Sequence, residues 1–179
     1  MSLFFATLVT GIFLILAGAA LLSRHSIVVS LMKGFPRSLG ATYVLFGSAA
    51  AWFLFRVWHL PESDFGEFRG LLFVGFSLVA ILSFHYVPDF LAVRGLAALV
   101  LLSASSLLGA AFMHYEHPQR LLLVSLVYAF VLLALWLGLQ PYRMRDFIEW
   151  LTRGDSRART VGGLAAGYGL LLVATAFTY

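Results

Sequence analysis

The chain of 179 residues contains no cysteine. Without a thiol it can form neither a disulfide nor a thiolate metal site, and it cannot hold an iron–sulfur cluster or a Cys-linked haem. A lipid anchor attached through cysteine is excluded for the same reason. The sequence therefore carries no sign of the redox compartment in which the protein works.

Charged residues are also scarce, at 11% of the chain, where ordinary soluble domains have about 25%. Hydrophobic residues make up 61% instead, and the mean hydropathy is +0.95. Such a composition is typical of a chain whose solvent is lipid. The net charge of +4 does not indicate nucleic-acid binding, because the basic residues form short clusters beside apolar runs, where membrane proteins carry them.

Six apolar runs, numbered here span 1 to span 6, are each about as long as a helix that crosses the hydrocarbon core. They lack the alternating polarity of membrane β-strands, and lipid tolerates only structures whose backbone groups are satisfied internally. The sequence therefore predicts an all-α fold: one transmembrane domain over residues 1–179, a polytopic bundle of about six helices. The runs are Leu3–Leu22, Ser38–Phe55, Gly70–Val87, Gly95–Met113, Leu121–Leu139 and Val161–Tyr179.

The basic residues are divided unevenly between the two sides of this bundle. The first, third and fifth connections carry nine Lys and Arg residues, and the second and fourth carry three. The positive-inside rule then predicts odd connections in the cytoplasm and both termini outside, as in a bacterial inner-membrane protein. Span 1 lacks the basic segment that precedes the apolar core of a signal peptide, so we expect it to be retained.

A repeat relates the connection after span 1 to the connection after span 5. It suggests three helical hairpins, A (1–57), B (66–113) and C (120–179), with a short helix in the connections of A and C. The alternative is that any span followed by an amphipathic link and an arginine looks similar. The matched residues, at a constant offset of 120 positions, are Ile27, Val28, Leu31, Lys33 and Gly34 with Phe147, Ile148, Leu151, Arg153 and Gly154.

The second of these connections is amphipathic at helical spacing. One side carries Phe147, Ile148, Trp150 and Leu151, and the other carries Asp146, Glu149 and Arg153. This pattern is typical of a helix in the headgroup plane. We expect the segment to contact a partner protein, with anionic headgroups as the alternative. The predicted contact residues are Arg145, Trp150, Arg153, Arg157 and Arg159.

Small residues four positions apart let membrane helices approach closely. Gly163-x-x-x-Gly167 in span 6 is the clearest example, and Gly109 in span 4 lies in a second small-residue stretch. We predict helix packing at these three glycines. Packing within the chain is favoured for the motif in span 6, and a partner helix is the alternative.

None of the 20 acidic and basic residues falls inside a predicted span. Ionisable groups at membrane depth normally mark proton relays and ion pathways, so their absence argues against a proton-coupled transporter. The acidic loop with Glu62, Asp64 and Glu67 is interpreted as solvated.

The five histidines all lie at span ends. His59 with His114 could ligate a haem, and His114 with His117 could bind a metal, but interfacial histidines without a ligand are commoner. No nucleophile or phosphate-loop motif is present. We therefore predict no catalytic residue, no metal and no cofactor.

The resulting functional hypothesis is a non-catalytic membrane subunit or scaffold. It would pack laterally against other integral membrane proteins and lipids, in a hetero- or homo-oligomeric complex. The alternative is a small transporter or channel for an ion or neutral solute that needs no buried ionisable residue.

Overall fold

The computed structural model describes every residue from Met1 to Tyr179. The chain is 84% helical and has no strand, which confirms the predicted all-α fold. Six helices are long and apolar enough to cross a membrane, so by length and composition this is a multi-pass membrane protein. The spans are Leu3–Ser23, Leu39–Trp58, Gly66–Tyr86, Leu91–Ala111, Arg120–Leu139 and Asp155–Ala176.

Spans 3, 4 and 6 begin a turn or more earlier than their apolar runs predict, span 3 at Gly66 instead of Gly70. Span 4 starts at Leu91 instead of Gly95, because residues 91–93 are almost fully buried and their packing extends the helix by a turn. Span 6 starts at Asp155 instead of Val161. A carboxylate is favourable in the first turn of a helix, since it faces the positive end of the helix dipole. Arg157 and Arg159 therefore belong to the first turns of span 6 and not to a connection.

Span 2 is not a uniform α-helix. Residues Thr42–Phe46 form a π-helical turn between the α-helical segments Leu39–Ala41 and Gly47–Trp58. Gly95 of span 4 lies against the backbone of Phe46 in this turn, so closely that a Cβ has no room there. The missing side chain is what lets spans 2 and 4 approach to this distance.

Two short helices lie in the first and fifth connections. The first short helix is Ser26–Gly34 and the second short helix is Tyr142–Thr152. They contact each other, and the 3₁₀ turn Phe35–Arg37 that follows the first also reaches the second. Their position in the headgroup plane stays a prediction.

The closely packed pairs of spans are 1 with 6, 4 with 5, and 2 with 4, and span 3 lies against span 2. Spans joined by the odd-numbered connections share few contacts, so the proposed hairpins A, B and C are not the packed pairs. The three-hairpin repeat itself stays a prediction. Span 3 packs mainly on span 2 and buries none of its residues, which places it at the edge of the bundle.

The core of the bundle lies where spans 1, 4, 5 and 6 meet. It is built from leucine, valine and alanine side chains, as expected where helices of a membrane protein pack without a polar centre. Its largest members are Leu3, Leu14, Leu123, Val127 and Leu172.

The three odd-numbered connections gather at one end of the bundle, which we call the basic end. The two short helices touch there, and the guanidinium of Arg37 lies 5.5 Å from the centre of the Phe90 ring in the third connection. The basic end holds nine basic and four acidic side chains, a net charge of +5. The basic residues are Arg24, Lys33, Arg37, Arg94, Arg143, Arg145, Arg153, Arg157 and Arg159.

Candidate functional site

The glycines that pack spans together are not the three that the sequence singles out. Spans 1 and 6 meet through Gly11, Gly18, Gly162 and Gly169, where an added Cβ would collide with the facing helix. A Cβ added at the predicted packing residues meets nothing within 4 Å. No helix of this chain therefore packs closely against Gly109, Gly163 or Gly167, and their packing against a partner helix stays a prediction.

Gly163 and Gly167 instead lie on an exposed face of span 6. Leu164 on this face is 70% exposed, and Leu170 and Leu171 are exposed as well. The two glycines are one turn apart on one side of the helix. They leave a shallow apolar groove at a depth where lipid or another membrane helix is the neighbour.

The interior of the bundle offers no polar site. Thr7 and Thr42 are the buried polar side chains, and each hydroxyl donates to a carbonyl one turn earlier in its own helix. The hydroxyl of Tyr168 donates to the carbonyl of Leu122 at 2.9 Å. The one buried side-chain polar atom without a partner is the Tyr179 hydroxyl. Apart from that of Tyr179, these hydroxyls thus donate hydrogen bonds to backbone carbonyls of the helices, and little polar surface remains for a ligand.

An open cleft of about 370 Å³ lies at the basic end, between the two short helices. It is lined by Lys33 and Pro36 from the first connection, and by Arg145, Ile148, Glu149, Thr152 and Arg153 from the second short helix and its end. Pro36 and Ile148 are buried and form the apolar part of the lining. The lining of the cleft therefore combines three cations and one carboxylate with an apolar part.

Two ion pairs lie in or beside this cleft. Arg153 Nη2 is 3.3 Å from Glu149 Oε2, and Arg145 Nη2 is 2.9 Å from Asp146 Oδ1. All four side chains are between 44% and 75% exposed, so solvent screens both pairs and each contributes little to stability. Lys33 also lines the cleft, and its side chain has neither an ion pair nor a hydrogen bond.

The structure divides the five predicted contact residues into three groups. Arg145 and Arg153 line the cleft. Arg157 lies over the Trp150 ring at 5.1 Å and donates to the Trp150 carbonyl at 3.3 Å, which ties the start of span 6 to the second short helix. Arg159 is exposed; it neither lines the cleft nor contacts Trp150.

The amphipathic side of the second short helix is divided between two environments. Ile148 and Leu151 are buried, and Leu151 lines a small apolar cavity with Val28 of the first short helix. Phe147 and Trp150 are nearly half exposed and stack on each other, with ring centres 5.9 Å apart. One half of the apolar side thus packs on the protein, and the other half remains available to lipid or a partner.

The opposite end of the bundle holds the histidines considered as ligands. His59 Nδ1 lies 2.8 Å from the Phe55 carbonyl, and His114 Nδ1 lies 3.3 Å from Glu116 Oε1. A hydrogen bond from its own backbone N–H, and then the His114 ring, lower the pKa of the Glu116 carboxyl. No three metal-ligating side chains come together anywhere in the chain.

Sequence reasoning missed Lys33, Pro36 and Thr152 as parts of one cleft. A signal for it was present, because Lys33 and Arg153 occupy equivalent positions in the proposed repeat, 120 residues apart. Comparisons with protein-family models, with curated proteins and with solved structures found nothing that matches the chain.

Proposed function

We propose that the protein is a non-catalytic subunit of a membrane complex, and that it binds a transmembrane helix of a partner through the exposed glycine face of span 6. The observation that carries the proposal is the open position of Gly163 and Gly167, against which no helix of the chain packs. Small residues at this spacing allow close helix approach, and the resulting dispersion contacts are ones that lipid chains replace poorly.

The chain itself supplies a precedent for this mode of packing. On the opposite face of span 6, Gly162 and Gly169 hold span 1 at backbone contact distance. Span 6 thus carries glycines on two faces, one used within the chain and one free. The free face can pack against a transmembrane helix of another protein.

The polar groups support a subunit more than an enzyme or an ion-coupled transporter. Ionisable side chains lie at span ends and connections, and the buried hydroxyls of Thr7 and Thr42 donate to carbonyls of their own helices. Catalysis and ion coupling at membrane depth normally require polar groups that are free to interact with a substrate.

A photo-crosslinking residue at Leu164 tests the proposal in native membranes. Because Leu164 flanks the groove, we expect one adduct of discrete mass that contains the protein and its partner in a fixed ratio. A second protein in the adduct indicates a hetero-complex, and twice the chain's own mass indicates a homo-oligomer. The same residue at Leu78, which is exposed on span 3, serves as the control and should react with lipid.

Paired glycine variants make the test specific. Gly163→Leu and Gly167→Leu should abolish the Leu164 adduct, because their side chains fill the groove. Gly75→Leu is the matched control, since Gly75 is also exposed in a span and has no neighbour within 4 Å. If Leu164 reacts only with lipid, and the lone monomer moves a solute in liposomes, the transporter hypothesis replaces the subunit.

A further inference from the structure

Lys33 differs from the other two cations of the cleft at the basic end. Arg145 and Arg153 each have a carboxylate partner, whereas Lys33 has none. Three like charges around one cleft repel one another, and an anion bound among them offsets that repulsion. Glu149 is the only carboxylate in the lining, and Asp146 beside it pairs with Arg145, so the three cations face two carboxylates and one positive charge is in excess.

The arginines retain hydrogen-bond donors for such an anion. A guanidinium has five N–H groups, of which Arg145 directs its Nε and Nη2 at Asp146, and Arg153 its Nη2 at Glu149. Thr152 adds no donor, because its hydroxyl already donates to the Ile148 carbonyl at 2.9 Å. Lysine and arginine around one concave surface are the combination that recognises phosphate.

The surroundings of the cleft indicate a ligand that also has an apolar part. Ile27 and Leu31, one turn apart on the first short helix, are 60% and 68% exposed. Phe147 on the second short helix is 45% exposed. Both helices that form the cleft thus present apolar side chains outward, which suits acyl chains next to a bound headgroup.

From these observations we propose that the cleft binds the phosphate group of an anionic membrane phospholipid. Lys33 and Arg153 hold it from opposite short helices, and Arg145 contributes a third cation. This site is independent of the span 6 face and of the proposed subunit function.

Spin-labelled lipids measure the proposed selectivity directly. The full-length protein is reconstituted in phosphatidylcholine, and the association of labelled phosphatidylglycerol is compared with that of labelled phosphatidylcholine. We expect the native chain to prefer phosphatidylglycerol. Lys33→Gln and Arg153→Gln should each lower the preference about tenfold or more, because each removes a charge-assisted hydrogen bond to the phosphate. Lys33→Arg should preserve it.

Matched variants separate a site from diffuse charge. Arg159→Gln removes an equal charge from the basic end outside the cleft, and we expect at most the roughly fivefold loss that any juxtamembrane cation gives. Glu149→Gln should raise the preference, whereas Asp89→Asn, an exposed carboxylate in the third connection, should leave it unchanged. The five substituted positions are all exposed: Lys33, Asp89, Glu149, Arg153 and Arg159. Thermal unfolding of each variant verifies that it remains folded.

Two results would overturn the proposal. If the lipid preference follows net charge alone, so that Arg159→Gln equals Lys33→Gln, no site exists. If Lys33→Gln weakens the binding of inorganic phosphate to the protein in detergent but leaves its preference for phosphatidylglycerol unchanged, the cleft binds soluble phosphate and not a lipid headgroup.

Discussion

The backbones of Gly11 and Gly169 touch where span 1 crosses span 6. A Cβ at Gly169 would lie 2.7 Å from the Gly11 carbonyl oxygen, and a Cβ at Gly11 would lie 2.9 Å from the Gly169 carbonyl oxygen. Gly18 and Gly162, two turns further along, repeat this reciprocal contact at 2.6 and 2.9 Å. The antiparallel pair of spans is thus held at backbone distance at two points.

Replacing Gly169 by alanine should destabilise the fold. The added methyl meets backbone atoms of Gly11 and Ile15, which cannot move without shifting the helix, so we expect a loss of about 1–3 kcal/mol. Gly163→Ala, six residues away in the same span, adds the same methyl to open space and should change stability by less than about 0.5 kcal/mol. Denaturant unfolding in detergent measures both. Equal losses would mean that spans 1 and 6 are not packed as described.

The second short helix should lie at the membrane interface with Trp150 toward the acyl chains. Trp150 is 44% exposed, and the part of its ring that Phe147 and Arg157 leave uncovered can contact acyl chains. In a variant whose other three tryptophans are replaced by phenylalanine, brominated acyl chains should quench the Trp150 fluorescence. The quenching should be strongest with bromine at shallow positions. Emission that only water-soluble quenchers reduce would place this helix outside the membrane.

Both termini are predicted to lie outside the cytoplasm. The basic end carries nine of the twelve Lys and Arg residues, and the positive-inside rule retains that end in the cytoplasm. Six spans then return the C-terminus to the side of the N-terminus. A phosphatase fused after Tyr179 should be active outside, and the same enzyme fused within the fifth connection should be inactive. The reverse activities would contradict this orientation.

The loop around Glu116 should lose stability in acid. Because its pKa is lowered in the folded state, first by a hydrogen bond from its own backbone N–H and then by His114, the carboxylate form is favoured by folding. This contribution is complete above the ordinary carboxyl value of 4.5 and is lost as the pH falls through the lowered pKa. An NMR titration of the isotope-labelled Glu116 side chain measures the lowered pKa.

His114→Ala should move the Glu116 pKa upward, toward the ordinary value, because one of its two main causes is removed. His59→Ala is the control, since His59 contacts Phe55 and not this loop. An unchanged Glu116 titration in His114→Ala would show that the backbone hydrogen bond acts alone.

The sequence determined the number of spans, the all-α fold and the concentration of basic residues at one end. These properties are local: an apolar run of sufficient length must form a helix in lipid, because its backbone groups have no other partner. The two short helices could also be predicted, from the helical spacing of residues such as Ile148 and Leu151. Their burial could not, since it requires the other short helix.

Tertiary structure alone decided which glycines pack and which cations meet. Gly162 and Gly163 are neighbours in one apolar run, yet successive residues differ by about 100° around a helix, so one contacts span 1 and the other faces outward. The run itself does not say which side meets a neighbour. Lys33 and Arg153 come together because the first and fifth connections fold to the same end, and that proximity depends on how six helices pack.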